Sequence, residues 1–179
     1  MADEEQMRIL AGGIDAWNFW RREHPDVIPD LRGADLNGFH GKGINLKGSD
    51  LRNVNFTKAE LINADMQSCN LHGAILAKSN LSRVNLSGCF AVSVNFSEAN
   101  LFSARARNAD LGNCLLVKAN LSGADLTKAN LGGADLTSAV LWMRYFGKKP
   151  VVILKETNLA GAKLNYVDFA GVDVSEIIR

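Results

Sequence analysis

Residues 119–138 read ANLSG ADLTK ANLGG ADLTS, four copies of one five-residue pattern. Each copy has a small residue, then Asn or Asp, then leucine, then two variable residues. The leucine position recurs at every fifth residue from Leu36 to Leu141, filled by Leu, Phe or Met and interrupted only at Gly41, Ala91 and Ala106. A five-residue period fits neither an α-helix nor a β-strand, so it predicts a repeat architecture.

The pattern also predicts how the chain stacks. If the small and leucine positions point inward, the chain must turn a corner every five residues, and four corners close a coil of about 20 residues. Residues 20 apart then lie in one column, with coils separated by about 4.8 Å and joined by backbone hydrogen bonds. Asn and Asp at the outward position are expected to bind backbone groups at the corners.

Residues 64–68, 124–128 and 134–138 match the A(D/N)LXX consensus, and the chain therefore resembles the pentapeptide-repeat family. The resemblance covers about 23 contiguous repeats over residues 29–143 and about five more over 152–175. It implies an all-β solenoid, namely a right-handed four-sided parallel β-helix of about seven coils, with an N-terminal α-helical cap.

We divide the chain into an N-terminal helical cap at 1–28, the repeat β-helix at 29–175 and a C-terminal end at 176–179. Residues 3–22 are predicted to be helical, because Leu10, Ile14 and Trp17 share one stripe. A solenoid needs its end covered, so Trp17 and Trp20 are interpreted as cap residues. The alternative is an exposed aromatic binding site.

The repeat is interrupted by an inserted loop at 142–151. The leucine position moves by thirteen residues from Leu141 to Leu154 instead of five, so about eight residues are inserted. The loop carries the large apolar residues Trp142, Met143, Tyr145 and Phe146. The favoured hypothesis is that they fold onto an outer face and cover Ile62 and Phe102, because exposed large apolar side chains would invite aggregation. The other hypothesis is that they contact a partner.

Composition limits the function. The chain has 179 residues and a net charge of +1, which argues against a strongly basic nucleic-acid binder. We expect no secretory signal and no membrane span. The three cysteines lack a CxxC pair and suit a reducing compartment, so we predict a cytoplasmic protein. Cys69 and Cys89 share a column, where free thiols are favoured over a disulfide.

No motif for catalysis stands out in the sequence. His24, His40 and His72 lack metal-ligand spacing, and we find no phosphate-binding or dinucleotide-binding fingerprint. We therefore predict no enzyme activity, no cofactor and no metal site.

The candidate binding residues face outward in columns. Lys58, Lys78 and Lys118 are predicted to form one exposed column, in which Glu98 bridges its neighbours. Ile62, Phe102 and Trp142 occupy equivalent outward positions on another. Clustered apolar side chains on a surface can mark a partner site. Together with the loop, the predicted partner-binding residues are Trp142, Tyr145, Phe146, Phe102, Ile62, Lys58, Lys78 and Lys118.

We predict a non-catalytic protein–protein interaction or scaffold module whose partner is unknown, with no direct nucleic-acid or membrane binding. The resemblance offers one alternative, because some pentapeptide-repeat proteins regulate or protect DNA gyrase by imitating DNA. The outward charges here are balanced, which disfavours a phosphate-like field. The last coil has little sequence after it to cover its core, so a homodimer through the C-terminal coil is the predicted assembly.

Overall fold

A computed structural model describes residues 1–143 and 150–178 of the chain. Two helices open it, α1 at Glu4–Ala11 and α2 at Ile14–Glu23. The Asp3 side chain caps α1 by accepting a hydrogen bond from the backbone N–H of Gln6. One continuous helix over residues 3–22 was the wrong prediction: Gly13 has a φ of 99°, outside the helical region, and separates the two helices.

The repeats pair through single parallel β-bridges between residues 20 apart, from Asp30 with Asp50 through to Asn120 with Val140. This confirms the predicted stacking of residues 20 apart and makes the repeat region a β-helix. The bridges run in four columns. Because each bridge is flanked by a corner, the described residues contain no continuous strand.

Every corner from Gly33 to Ser138 has a left-handed residue, with φ between 55° and 71° at each fifth position. A backbone hydrogen bond closes nearly every one of these turns, as from Ala64 N–H to Leu61 C=O over 3.1 Å; the corner at Ser93 is the exception. The Asn and Asp side chains support the turns: the Asp65 Oδ1, for example, accepts from the N–H of Gln67 over 3.1 Å. The predicted backbone role of these polar side chains is confirmed.

The leucine positions from Leu46 to Leu141 are all buried. At Gly41 the Phe39 ring fills the space that a leucine side chain takes in the other repeats. A Cβ atom on residue 41 would lie only 2.5 Å from that ring. The two ends depart from the prediction, since Leu36 and Phe169 are half-buried and Val174 is 37% exposed. Each terminal coil has another coil on one side only, and the helices at the N-terminal end cover Leu31 fully but Leu36 only in part, so these core positions stay partly open.

The inserted loop changes the pairing distance. Asp125 pairs with Ile153 and Asn130 with Asn158, both 28 residues apart, which is eight more than in the preceding coils. The antiparallel bridge between Trp142 and Val151 forms the neck of the loop.

Cys69, Cys89 and Cys114 are free and buried, which confirms the prediction of free thiols for Cys69 and Cys89. The Cys69 thiol donates to the Leu46 carbonyl over 2.8 Å and the Cys114 thiol to the Ala91 carbonyl over 2.9 Å. Burial raises the pKa of Cys69 and of Cys114 to about 12 and that of Cys89 further. The thiols are therefore un-ionised packing residues at neutral pH.

Candidate functional site

One of the four columns carries a ladder of side-chain amides. We name it the ladder face; its residues are His40, Glu60, Asn80, Asn100, Asn120 and Val140. The amide nitrogen of Asn80 donates to Glu60 over 3.1 Å, that of Asn100 to the Ser82 hydroxyl over 2.9 Å, and that of Asn120 to Asn100 over 3.2 Å. These bonds hold the centre of the face in a fixed arrangement.

The predicted lysine column borders the ladder face on one side. Lys58, Lys78, Glu98 and Lys118 each precede a ladder residue by two positions, have φ between 57° and 60°, and are exposed. The Lys78 ammonium lies 3.9 Å from the Glu98 carboxylate, so the predicted single column is confirmed. Glu98 was also predicted to reach Lys118, and no such ion pair forms among the described residues.

An apolar groove borders the ladder face on the other side. Ile62 and Phe102 each follow a ladder residue by two positions, and both are half-buried. They line a hollow of about 310 Å³, whose other lining residues are Ser82, Arg83, Asn100, Asn120 and Met143. The structure thus brings together Ile62, Phe102 and one loop residue, Met143, whose sulfur lies 3.7 Å from the Asn120 amide nitrogen.

The remaining loop residues do not add to this groove within the described residues. The Trp142 indole N–H donates to Asp168 Oδ2 over 3.1 Å, which directs the ring toward the last coil. The neck does cover one corner of the solenoid: Pro150 is 3.0 Å from where a Cβ atom on Gly123 would lie. Tyr145 and Phe146, both predicted to bind a partner, lie outside the described residues.

Sequence reasoning missed the amide ladder. The hypothesis that apolar loop residues pack beside Ile62 and Phe102 agrees with the position of Met143. The ladder could have been found, because Asn80, Asn100 and Asn120 stand 20 residues apart. The position of Met143 depends on the path of the loop neck, for which the repeat gives no signal.

Several acidic side chains on the other columns are neutralised by neighbours. Asp50 pairs with Arg52 at 2.6 Å, which lowers the pKa of the Asp50 carboxyl. Asp135 lies 3.5 Å from Lys163, and Arg107 donates to Asp125. Among the described residues, no group of three or more His, Cys, Asp or Glu side chains is placed to hold a metal ion. None of the described helices has the length and apolar character to span a bilayer.

A family model described as pentapeptide repeats matches residues 42–77, 79–116 and 107–142, with eight copies. No curated protein sequence matches the chain significantly.

Solved structures that resemble the chain are also repeat proteins. HetL, a pentapeptide repeat protein involved in heterocyst differentiation regulation in Nostoc sp. strain PCC 7120, is 28% identical, with 82% of this chain and 72% of that chain covered and a TM-score of 0.47. A pentapeptide repeat protein of the Arabidopsis thaliana thylakoid lumen is 32% identical over 56% of this chain and 66% of that one, with a TM-score of 0.34. QnrB1, a plasmid-mediated fluoroquinolone resistance protein, is 18% identical over 83% of each chain, with a TM-score of 0.39.

Proposed function

Because this chain belongs to the pentapeptide-repeat family, we propose that it is a non-catalytic protein-binding scaffold that binds its partner on the ladder face. The observation that carries the proposal is the arrangement of that face. An apolar groove formed by Ile62, Phe102 and Met143 lies along one edge, and exposed lysines lie along the other.

The two edges suit two kinds of contact. A groove of about 310 Å³ can take an apolar side chain, and such anchors dominate binding energy at protein interfaces. Lys58, Lys78 and Lys118 favour acidic groups and speed the approach of an acidic partner. The amide ladder between the edges is already hydrogen-bonded in the free protein, so binding costs little ordering of the surface.

We further propose that the four bridge columns form the four sides of a right-handed helix of about seven coils. At about 4.8 Å per coil its stacked length is roughly 34 Å. A solution scattering curve typical of a sphere of the same mass would contradict this elongated shape.

The binding proposal can be tested by affinity capture from the native host with matched variants. Reversing Lys58, Lys78 and Lys118 to Glu, or changing Phe102 to Ser, should remove the captured partner. Reversing Arg8, Arg22 and Lys47, which are exposed and lie elsewhere, should leave it in place. Equal capture by all variants, with unchanged circular dichroism, would contradict binding on the ladder face.

Protection of DNA gyrase by DNA mimicry is the weaker candidate. A mimic needs a continuous field of unpaired negative charge, whereas Asp30, Asp50, Asp125 and Asp135 each lie within 4 Å of an Arg or Lys. We expect no effect of this protein on gyrase supercoiling in the presence of a quinolone, and protection at low protein concentration would reverse the ranking.

We also propose a homodimer through the C-terminal coil. The core of that coil opens to a hollow of about 270 Å³, lined by Leu159, Leu164, Phe169, Val174 and Ile177. Burying this surface against a second copy would remove apolar area from water. Light scattering should give twice the mass of the chain, and Phe169→Glu should reduce the measured mass to that of one chain. A monomer at all concentrations would exclude the dimer.

We place this function in the cytoplasm. The support is that all three thiols are free and buried, as expected in a reducing compartment. Localisation of a tagged protein in the native host tests this.

A further inference from the structure

The backbone edge at residues 152–156 lacks the hydrogen bonds that the same edge makes elsewhere. In the equivalent segment of an inner coil, Val84 C=O accepts from Arg105 N–H over 2.9 Å, while Leu86 N–H and Gly88 N–H donate to the next coil over 2.6 and 2.8 Å. The corresponding groups are Val152 C=O, Leu154 N–H and Glu156 N–H. Among the described residues none of the three has a hydrogen-bond partner.

The last coil is separated from the stack at this place. Backbone hydrogen bonds join it to the stack up to Asn165, and it returns at Ile178, which bridges to Asn158; between these points side-chain contacts replace the backbone contacts. Trp142 binds Asp168 over 3.1 Å, and Lys155 pairs with Glu176 at 3.7 Å. The neck of the loop emerges at the adjoining corner, where the Val152 N–H donates a hydrogen bond to the Leu141 carbonyl.

The separation leaves a hollow of about 340 Å³ between residues 151–155 and the side formed by Gly171, Asp173 and Glu176. Its inner wall is the unpaired edge. A peptide in extended conformation satisfies such an edge by adding a strand, with its main-chain groups providing the affinity.

We propose that this hollow binds an extended peptide segment with a basic side chain, which adds a parallel strand to residues 152–156. One N–H of the peptide donates to Val152 C=O, and two peptide carbonyls accept from Leu154 and Glu156. The basic side chain lies opposite Asp173.

The charges that line the hollow favour a basic side chain on the peptide. Hydrogen bonds from Ser175, through its side chain and through its N–H over 2.9 Å, lower the pKa of the Asp173 carboxyl and keep it ionised at neutral pH. Among the described residues it has no cationic partner, whereas Glu176 is paired with Lys155. The same kind of arginine–aspartate contact exists in this column within the stack, where Arg107 donates to Asp125. Ile153, 47% exposed, offers an apolar contact beside the acid.

The chain itself provides a probe, because residues 102–109, FSARARNA, already lie on this kind of edge in the inner stack. A fluorescent synthetic peptide of that sequence should bind the full-length protein in an anisotropy titration. Methylating the backbone nitrogen at the peptide's first arginine should weaken binding at least tenfold, because this removes the donor to Val152. Replacing both arginines with glutamate should do the same.

Protein variants test the hollow itself. Asp173→Lys should weaken peptide binding at least tenfold, whereas Glu23→Lys, the same charge change on exposed α2, should leave it within twofold. Equal affinity of the methylated and unmodified peptides, or equal effects of the two variants, would show that the peptide does not add a strand here.

Hydrogen exchange provides a readout independent of affinity. In the free protein the amides of Leu154 and Glu156 should exchange at least tenfold faster than those of Leu126 and Lys128, which donate to the next coil over 2.9 and 2.8 Å. Peptide should slow the first pair only. If the first pair is already protected, the edge is closed and the proposal fails; if protection rises with protein concentration alone, a second copy occupies the edge instead.

Discussion

At the N-terminal end of the solenoid, side chains from α2 take the place of a neighbouring coil. Trp17 Nε1 donates to the Asn45 carbonyl over 2.8 Å, and Asn18 both donates to the Gly43 carbonyl and accepts from Asn45 N–H. At the C-terminal end the edge at residues 152–156 has no such partners among the described residues. The predicted cap role of Trp17 is confirmed, since its side chain is fully buried.

The comparison shows what a cap must supply. Covering the core removes apolar area from water, but the exposed backbone edge also needs donors and acceptors. The N-terminal helices provide both: Arg21 donates to the Lys47 carbonyl on the edge, and also to the Val27 carbonyl of the segment after α2, over 2.8 Å each. The last coil closes its gap with side-chain contacts such as the Lys155–Glu176 pair, which are weak when exposed.

The largest effect is expected from Trp17→Ala. It removes a fully buried ring and the donor to Asn45, so the free energy of unfolding should fall by about 3–5 kcal/mol. Chemical denaturation measures this, with Phe19→Ala as the control, because Phe19 on the same helix is 57% exposed. Equal losses in both variants would mean that Trp17 does not close the end.

A smaller effect is expected from Arg21→Met. Methionine fills the same buried site, which is 8% exposed, but it cannot donate to the two carbonyls. The free energy of unfolding should therefore fall by about 1–3 kcal/mol. Arg22→Met, on the exposed side of α2, is the control. Burial removes water from the Arg21 guanidinium and thereby lowers its pKa. If Arg21→Met is more stable than the original protein, this loss of hydration costs more than the two hydrogen bonds contribute.

The N-terminal end should also be the more sensitive to acid. The hydrogen bond from Arg32 lowers the pKa of Asp30 from 3.8 to about 2 in the folded chain. The depressed pKa stabilises the fold above about pH 4, and this contribution is lost as the pH falls toward 2. Partial exposure of the pair limits it to about 1 kcal/mol. Asp30→Asn should reduce the slope of stability between pH 4 and 2.

The matched change at the other end is Asp173→Asn. The pKa of Asp173 is also lowered, by hydrogen bonds from Ser175, but no guanidinium faces it among the described residues. Asp173→Asn should therefore change the slope of unfolding free energy against pH less than Asp30→Asn does. Equal slopes for the two variants would mean that Arg32 does not set the acid response.

Most of the fold could be predicted from the sequence because each repeat encodes its own turn and its own inward residues. The division of the cap was harder, because whether Gly12 and Gly13 weaken a helix or end it depends on where the flanking helices dock. The lysine column and the pairing of Ile62 with Phe102 followed from the 20-residue coil. Packing of the loop on Ile62 and Phe102 was a hypothesis from the sequence, but which loop residue lies there could not be specified, because that depends on the loop neck packing beside Gly123.

The separation of the last coil was beyond sequence reasoning for a different reason. Leu154, Leu159, Leu164, Phe169 and Val174 continue the pattern without interruption, and left-handed corners persist at Glu156, Gly161, Tyr166 and Gly171. The pattern thus specifies turns within a coil. Stacking depends instead on the neighbouring coils, and beside this segment the loop neck, with its Trp142–Val151 bridge, interrupts the regular pairing.

The smallest effect is expected from Glu176→Gln. The Lys155–Glu176 pair spans the gap at 3.7 Å, with both side chains about half exposed, so its loss should cost under about 0.5 kcal/mol and less at high salt. Glu156→Gln is the control, since it removes a similar exposed pair with Lys128 at 3.5 Å between coils that are joined by backbone bonds. Denaturation midpoints should be unchanged for both. Hydrogen exchange should differ, because only Glu176→Gln loosens the segment that side chains hold between the backbone bonds at Asn165 and Ile178: amides near Ile178 should exchange severalfold faster. A global loss above 1 kcal/mol would show that the C-terminal end is closed as firmly as the N-terminal end.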